Sequence, residues 1–554
     1  MSNKIKLFRS GELVAETEGV PGETLLARIS AAGVFLDAPC GGQGKCGKCL
    51  VRLAPDGDEV LACQTHVEGD TDVFLPDAME MEIAGAGGAE HRNGELRIEN
   101  AEFADTGNRK NYSGKSTRLG SGDTIHKETD GNNTVAAPAR YNRRLGVAVD
   151  IGTTTVVAHL TDMDTAERIA TASGVNAQRP YGADVISRIQ YSVDNGHETL
   201  TRLIRGQLAN LILEACASSG ANPQSVGYIS IAANTIMEHL AAGYSPAGMG
   251  VVPFTTVSLF GDEMEAGADL GVGADALLYF APAISAYVGG DITAGMLAAG
   301  LEDMQGPVVY LDIGTNGEIA VKQGDKYYCC ATAAGLAFEG AEISMGMAAV
   351  GGAINHVRWE DELKISVIGD AAPRGLCGSG LLDALAVLLE TGAVDESGRL
   401  LDPDEISHGI AAHIGSVDGK NAFMLTSGNN VYMTAADIRK LQLAKSAIAA
   451  GIQTLLHHMG IAESDVKQFV LAGGFGSFMD QNSAARIGLF PACFLPVAST
   501  LGNTAGEGAA IALCSADARE VLESIRARCE YIELSTSPVF NDQFVEQMMF
   551  PDKE

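Results

Sequence analysis

Basic and aromatic residues are scarce in this 554-residue sequence. Lys and Arg number 38 against 70 Asp and Glu, a formal net charge of −32. No local basic patch offsets that excess, so neither nucleic acid nor an anionic membrane surface is expected as a partner. A single Trp and an aromatic content of 6% leave no platform for stacking single-stranded bases. No run of about 20 apolar residues occurs, so no membrane span is expected. The opening MSNKIKLFRSGELVAETEG lacks the apolar stretch of a signal peptide. The 11 Cys are odd in number and not spread as a disulfide framework; four crowd into residues 40–63. These features predict a cytoplasmic chain with reduced thiols and one cysteine site needing its own explanation.

What is present divides the chain. At roughly 150 residues per domain, two to four domains are expected. Residues 1–84 form a compact unit. Lys4–Arg9 and Leu13–Glu16 alternate around Ser10-Gly11 as a hairpin, and Thr24–Ala32 reads as a short helix. Cys49–Leu53 and Val60–Cys63 read as strands. Residues 85–143 lose apolar periodicity and are rich in Gly, Ser, Asn and Thr, which predicts a flexible linker. From 144 to 554 the texture is α/β. An apolar strand, Leu145–Val149, runs into Asp150-Ile151-Gly152-Thr153 and a second strand, Thr155–Leu160. The pattern recurs as Pro307–Leu311, Asp312-Ile313-Gly314-Thr315 and Glu318–Val321. Such an echo predicts two similar facing lobes, roughly 144–284 and 285–515, with an extension over 516–554. Helices are expected over 181–193, with Val185, Ile186 and Ile189 on one face, and from Thr434-x-x-Asp437, a capping box, to near Gly460.

Three motifs carry chemistry. Cys40-x5-Cys46-x2-Cys49-x13-Cys63 is threaded by Gly41, Gly42, Gly44 and Gly47. Thiolates are soft ligands for iron or zinc, and a glycine-rich loop aims amides at bridging sulfide. Structural zinc sites usually draw on two C-x2-4-C pairs, and only one exists here. The spacing therefore points to a [2Fe–2S] cluster, in the x5 variant resembling adrenodoxin-like ferredoxins rather than the plant-type x4. The second motif is the pair of Asp-Ile-Gly-Thr turns, whose Gly152, Thr153, Thr154, Gly314, Thr315, Asn316 and Gly317 offer N–H and O–H donors to phosphate. Asp150 and Asp312 at the strand ends suit Mg2+ held through water, and Glu318 or Asp312 is placed to position an attacking water. The third is Leu471-Ala472-Gly473-Gly474-Phe475-Gly476, where Gly473, Gly474 and Gly476 let backbone approach a flat adenine. Cys329-Cys330 reads as a core strand and Cys377 as a close-packed turn. One or both of His457-His458 are expected in solvent. The stretch Asn176-x-Gln178-Arg179-Pro180-Tyr181-Gly182-Ala183-Asp184 either lines the cleft or only caps the helix after it.

Together the turns resemble the nucleotide fold of sugar kinases, actin and heat-shock chaperone ATPases. This implies two ribonuclease-H-like lobes with ATP between them, behind an N-terminal β-grasp, ferredoxin-like module. The whole chain further resembles the reductive activators of corrinoid proteins. The matching stretches are 150–155, 176–189, Asn234-Thr235, Gly290-Asp291-Ile292, 312–318, 334–346, Gly378-Ser379-Gly380, Gln442–Lys445 and 471–476, with the cysteine set. The resemblance implies an iron–sulfur ATPase that returns a Co(II) corrinoid protein to Co(I) with one electron, coupled to ATP. It also implies an upstream low-potential electron donor and a homodimer. Two other readings are open: a metabolite kinase with a fused ferredoxin and Asp291 as base, or an activator of another low-potential metalloenzyme.

Overall fold

The computed structural model describes residues 3–19, 22–32, 49–55, 57–66 and 69–76, single positions 34, 36 and 44, and 144–552 except 334–336, 341–342, 407–408 and 429. Cys40, Cys46 and the expected linker 85–143 lie outside the described residues.

In the N-terminal unit, Ser10 and Gly11 both adopt left-handed φ, 53° and 84°. This is the geometry that joins two right-twisted strands in a tight hairpin. Strands Asn3–Arg9 and Glu12–Gly19 pair antiparallel across it, while Asn3–Arg9 pairs parallel with Thr71–Leu75. Leu50–Arg52 and Glu59–Leu61 complete a five-stranded mixed sheet. Helix Leu25–Ala31 lays Leu25, Leu26 and Ile29 on Ile5, Leu7, Val51 and Val73. One helix on a mixed sheet of this order is a β-grasp.

Two six-stranded sheets follow, built alike. In the first, Leu145–Ile151, Thr155–Asp162 and Glu167–Val175 meander antiparallel, and Val226–Ala233 returns parallel to Leu145–Ile151. In the second, Val308–Ile313, Gly317–Gln323 and Lys326–Thr332 meander, and Gln468–Ala472 returns parallel to Val308–Ile313. Strand Cys529–Tyr531 closes that sheet beside Lys326–Thr332. The leading strands are buried along nearly their whole length, as expected of strands covered on both faces. Helix Thr504–Cys514 packs on the first sheet through Ala509, Ala512 and Leu513, against Ala148 and Ala232. The chain thus crosses from the second sheet back to the first.

Local details follow the sequence with two corrections. The helix expected from Tyr181 begins at Val185, because Arg179–Tyr181 form a separate short 3-10 turn and Asp184 is extended (φ −123°, ψ 172°) and caps the helix. Helix Val185–Asn195 buries Val185, Arg188, Ile189 and Ser192, but Ile186 is 55% exposed. At 100° per residue, Ile186 projects away from the stripe set by Val185 and Ile189. Cys329 and Cys330 lie in a core strand, Cys377 is buried, and His457 and His458 both face solvent. Among the described residues, no helix is long and apolar enough to cross a membrane.

The capping box on helix Ala435–Met459 is present and enlarged. Asp437 Oδ2 accepts from the Thr434 amide (2.9 Å) and hydroxyl (2.7 Å), while Oδ1 accepts from the Ser344 amide (2.9 Å) and hydroxyl (3.1 Å). Asp437→Ala removes the buried acceptor of half-buried Thr434 and exposed Ser344, whose donors can turn to water. It is expected to cost about 1–2 kcal/mol, read as a lower denaturant midpoint. A loss below about 0.5 kcal/mol would show that the box adds nothing beyond helix propensity.

Candidate functional site

Both Asp-Ile-Gly-Thr turns open into one cleft between the two sheets. Each Asp is the penultimate residue of its leading strand, so the sheets aim Asp150 and Asp312 at the same space. Across it, the Thr154 and Thr315 hydroxyls stand 3.4 Å apart. Both donate to Glu339, Thr315 at 2.6 Å and Thr154 at 3.1 and 3.2 Å to its two oxygens.

Asp150 Oδ2 accepts from Asn503 Nδ2 at 2.7 Å, from the residue that caps helix Thr504–Cys514. Asp312 Oδ2 accepts from the Tyr310 hydroxyl at 3.3 Å, and that hydroxyl also meets Thr504 Oγ1 at 2.9 Å. The glycine turn after Gln468–Ala472 closes directly on Asp312. A Cβ on Gly473, which holds φ +87°, would stand 2.4 Å from Asp312 Oδ1 and 2.6 Å from the Ile313 carbonyl. Only glycine fits there, on both counts. Behind it the Phe475 ring stacks on Phe338, centroids 5.3 Å apart. Gly474 is exposed and Gly476 buried.

Four carboxyl groups crowd this floor. Enclosure by protein pushes Asp150 up to about 7, with the Asp312 charge adding to it and the Asn503 hydrogen bond opposing. It pushes Asp312 up to about 6. Asp291, at the start of helix Gly290–Ala298, is pushed up to about 8 by enclosure and then by Asp312 and Asp150. Glu318 rises well above the carboxylate range through burial, then through Asp291 and Asp312, while Asn316 opposes with a hydrogen bond. Among the described residues none of the four is ion-paired. Such mutual repulsion is what a bound cation relieves. Among the described residues no three acidic, His or Cys groups converge closely enough to chelate an ion. The donor set therefore fits Mg2+ only through its water shell.

Asp291 provides a direct test of this crowding. Folded, it keeps its proton to about pH 8; unfolded, it releases it near 3.8. Stability therefore falls as pH rises across that window. Asp291→Asn removes the cost. Without nucleotide it should stabilise the two-lobed unit at pH 9 by on the order of 1 kcal/mol, discounted for solvent in the cleft, and by nothing at pH 4. An unchanged midpoint at pH 9 would mean that the cleft does not strain Asp291.

The cysteine site is described in half. Cys49 and Cys63 are buried, 1% and 5% exposed, where the strands Leu50–Arg52 and Glu59–Leu61 meet. The Ala62 amide donates to the Cys49 carbonyl at 2.8 Å, and Gln64 Nε2 approaches Cys63 Sγ at 3.8 Å. Two buried thiols, one just before the strand Leu50–Arg52 and one in the turn after Glu59–Leu61 with a side-chain amide at its sulfur, fit the thiolate donor set of an iron–sulfur cluster.

Sequence reasoning missed Asn503, Glu339 and Tyr310. Asn503-Thr504 ahead of a Gly/Ala-rich helix was a readable cap signal, but nothing local tied it to Asp150. Glu339 lies in the 334–346 stretch without a motif of its own.

Residues 11–68 match the 2Fe-2S iron-sulfur cluster binding domain. Residues 145–304 match the RACo middle region, and 307–554 the C-terminal domain of RACo, the ASKHA domain. The chain is 31% identical to the corrinoid activation enzyme RamQ of Eubacterium limosum, over 98% of either chain. It is 25% identical to the [Co(II) methylated amine-specific corrinoid protein] reductase of Methanosarcina barkeri, over 73% of this chain and 77% of that one. A solved structure of a reductive activator for corrinoid, iron-sulfur protein superposes with a TM-score of 0.67 at 28% identity, covering 100% of this chain and 99% of that one.

Proposed function

The chain belongs to the reductive activators of corrinoid proteins, and from that membership we propose that it restores an inactive Co(II) corrinoid protein to Co(I) by passing it one electron, coupled to ATP binding and hydrolysis. The observation that carries the ATP half is the meeting of Thr154 and Thr315 over Glu339, with Asp150 and Asp312 beneath.

The work is divided along the chain. Residues 1–84 carry the electron, 85–143 tether, and 144–554 cycle nucleotide. Cys40, Cys46, Cys49 and Cys63 would hold the [2Fe–2S] cluster, which when bound supplies a one-electron reductant. In the cleft, Gly152, Thr153, Thr154, Gly314, Thr315, Asn316 and Gly317 bind the phosphates, and Gly473, Gly474 and Gly476 approach the base. Asp150 and Asp312 would hold Mg2+, which when bound counters phosphate charge. Glu318 or Asp312 positions the attacking water. ATP does not change the energy of the electron itself. The coupling comes from different affinities of the nucleotide states for the complex with the corrinoid protein. The chain works as a homodimer, fed by a low-potential donor.

The test is anaerobic: protein, reductant and a Co(II) corrinoid protein are mixed with and without ATP. The Co(I) absorption band should grow only with ATP. A band of equal rate without ATP would remove the coupling, and phosphorylated product from a metabolite panel would favour a kinase.

A further inference from the structure

The stretch 176–184, which reads from sequence as either cleft lining or a helix cap, does cap the helix after it, Asp184 accepting from the Ser187 amide at 2.6 Å, and together with Arg188 it does something more. It grips the first phosphate turn from behind. Three successive carbonyl oxygens of that turn are taken by it. Asn176 Nδ2 donates to the Gly152 carbonyl at 2.8 Å, Arg188 Nη2 to the Thr153 carbonyl at 2.5 Å, and the Asn176 amide to the Thr154 carbonyl at 2.8 Å. Asn234 Nδ2 adds a bond to Thr153 Oγ1 at 3.2 Å. Among the described residues no acceptor takes the amides of Gly152, Thr153 or Thr154. With every carbonyl fastened behind, those amides are the groups left to meet an anion in front.

Arg188 is central to the grip. It is 0% exposed, yet among the described residues it has no carboxylate at ion-pair distance. Its other donors go to the Gly182 carbonyl (2.9 Å), Gln178 Oε1 (3.1 Å) and Met237 Sδ (2.9 Å). Gly182 leaves room for this: a Cβ there would lie 2.8 Å from the Arg188 amide and 3.0 Å from its Cγ. A buried guanidinium is costly unless it is fully hydrogen-bonded. This one spends its donors on neutral acceptors and, among the described residues, is paired with no carboxylate, Asp184 and Glu339 acting on its charge only from a distance.

We propose that Arg188 is a positioning residue for the triphosphate. Together with Asn176, it holds residues 152–154 with their amides forward and sets an unpaired positive charge behind them. The inference rests on the reading of this turn as a phosphate site. A lysine keeps the charge but cannot reach acceptors on three sides, because it lacks the planar fork.

The experiment measures binding of ATP and of adenosine to the full-length wild-type protein and to Arg188→Lys by titration calorimetry. Arg188→Lys should weaken ATP at least tenfold and leave adenosine within twofold. Equal weakening of both ligands, or unchanged ATP affinity, overturns the proposal. Wild-type protein that binds neither ligand overturns instead the underlying nucleotide reading. A measurement on wild type alone covers a variant that does not fold. In hydrogen–deuterium exchange, a non-hydrolysable ATP analogue should protect peptides spanning 152–154 and 176–188, and adenosine should not. Protection of neither stretch by the analogue, in protein that binds it, also overturns the proposal.

Discussion

Asp312→Asn should lower ATP hydrolysis and ATP-dependent corrinoid reactivation by two orders of magnitude or more, with the visible spectrum of the N-terminal module unchanged. The size follows from position. Asp312 sits where the second leading strand ends, against Gly473, within the electrostatic reach of Asp291 and Glu318. An amide of the same shape keeps the Tyr310 contact and the packing, but it supplies no negative charge to a hydrated cation. Electrostatic groups aimed at phosphoryl transfer are typically worth about 3 kcal/mol or more. The same site gives a pH dependence. Asp312 is raised to about 6 and Asp150 to about 7, both first by enclosure in protein. Each must lose its proton to hold a cation, so Mg-dependent ATP affinity should climb from pH 5.5 to 8. In Asp312→Asn the lower part of that climb should vanish. Near-normal turnover by the variant would mean that Asp312 is structural only.

Cys63→Ser should produce the complementary failure. The variant should be colourless when purified under argon, with reactivation lost at least ~100-fold and ATP hydrolysis in the two-lobed unit intact. Cys63 is buried beside Cys49 in a small core of a dozen residues, and serine there is both a poor ligand for iron and an extra buried hydroxyl. Absorption and iron content of the variant decide the ligand assignment, while its ATPase rate decides whether the two functions separate. Retained colour and iron would remove Cys63 from the ligand set. Loss of ATP turnover together with the colour would contradict the division of work between the two parts of the chain.

Much of this protein was legible before any fold was known, and the reasons are local. The cysteine spacing and its glycines, all within a short window, point to the 2Fe-2S binding domain that residues 11–68 match. The repeated Asp-Ile-Gly-Thr after an apolar strand reports a strand ending in a turn, twice. The Thr434/Asp437 box is written in four consecutive residues and is present as hydrogen bonds. Where the helix phase was misjudged, at Ile186, the apolar residue lay one step off a stripe already set by Val185 and Ile189. A single exposed isoleucine carries no label in sequence.

The sequence by itself determined the groups on offer: thiols at the front, two Asp-Ile-Gly-Thr turns and a glycine turn behind, and a formal net charge of −32. Only the tertiary structure decided how those parts act on one another. Asp150 meets Asn503 across 353 positions of chain and Thr154 meets Thr315 across 161. The buried Arg188 fastens to Thr153 across 35. Local patterns record which groups a turn or strand presents. Carboxyl repulsion, an unpaired buried charge and a shared glutamate arise only when distant segments are brought within a few ångströms in low-dielectric surroundings, and no short window of sequence contains that distance.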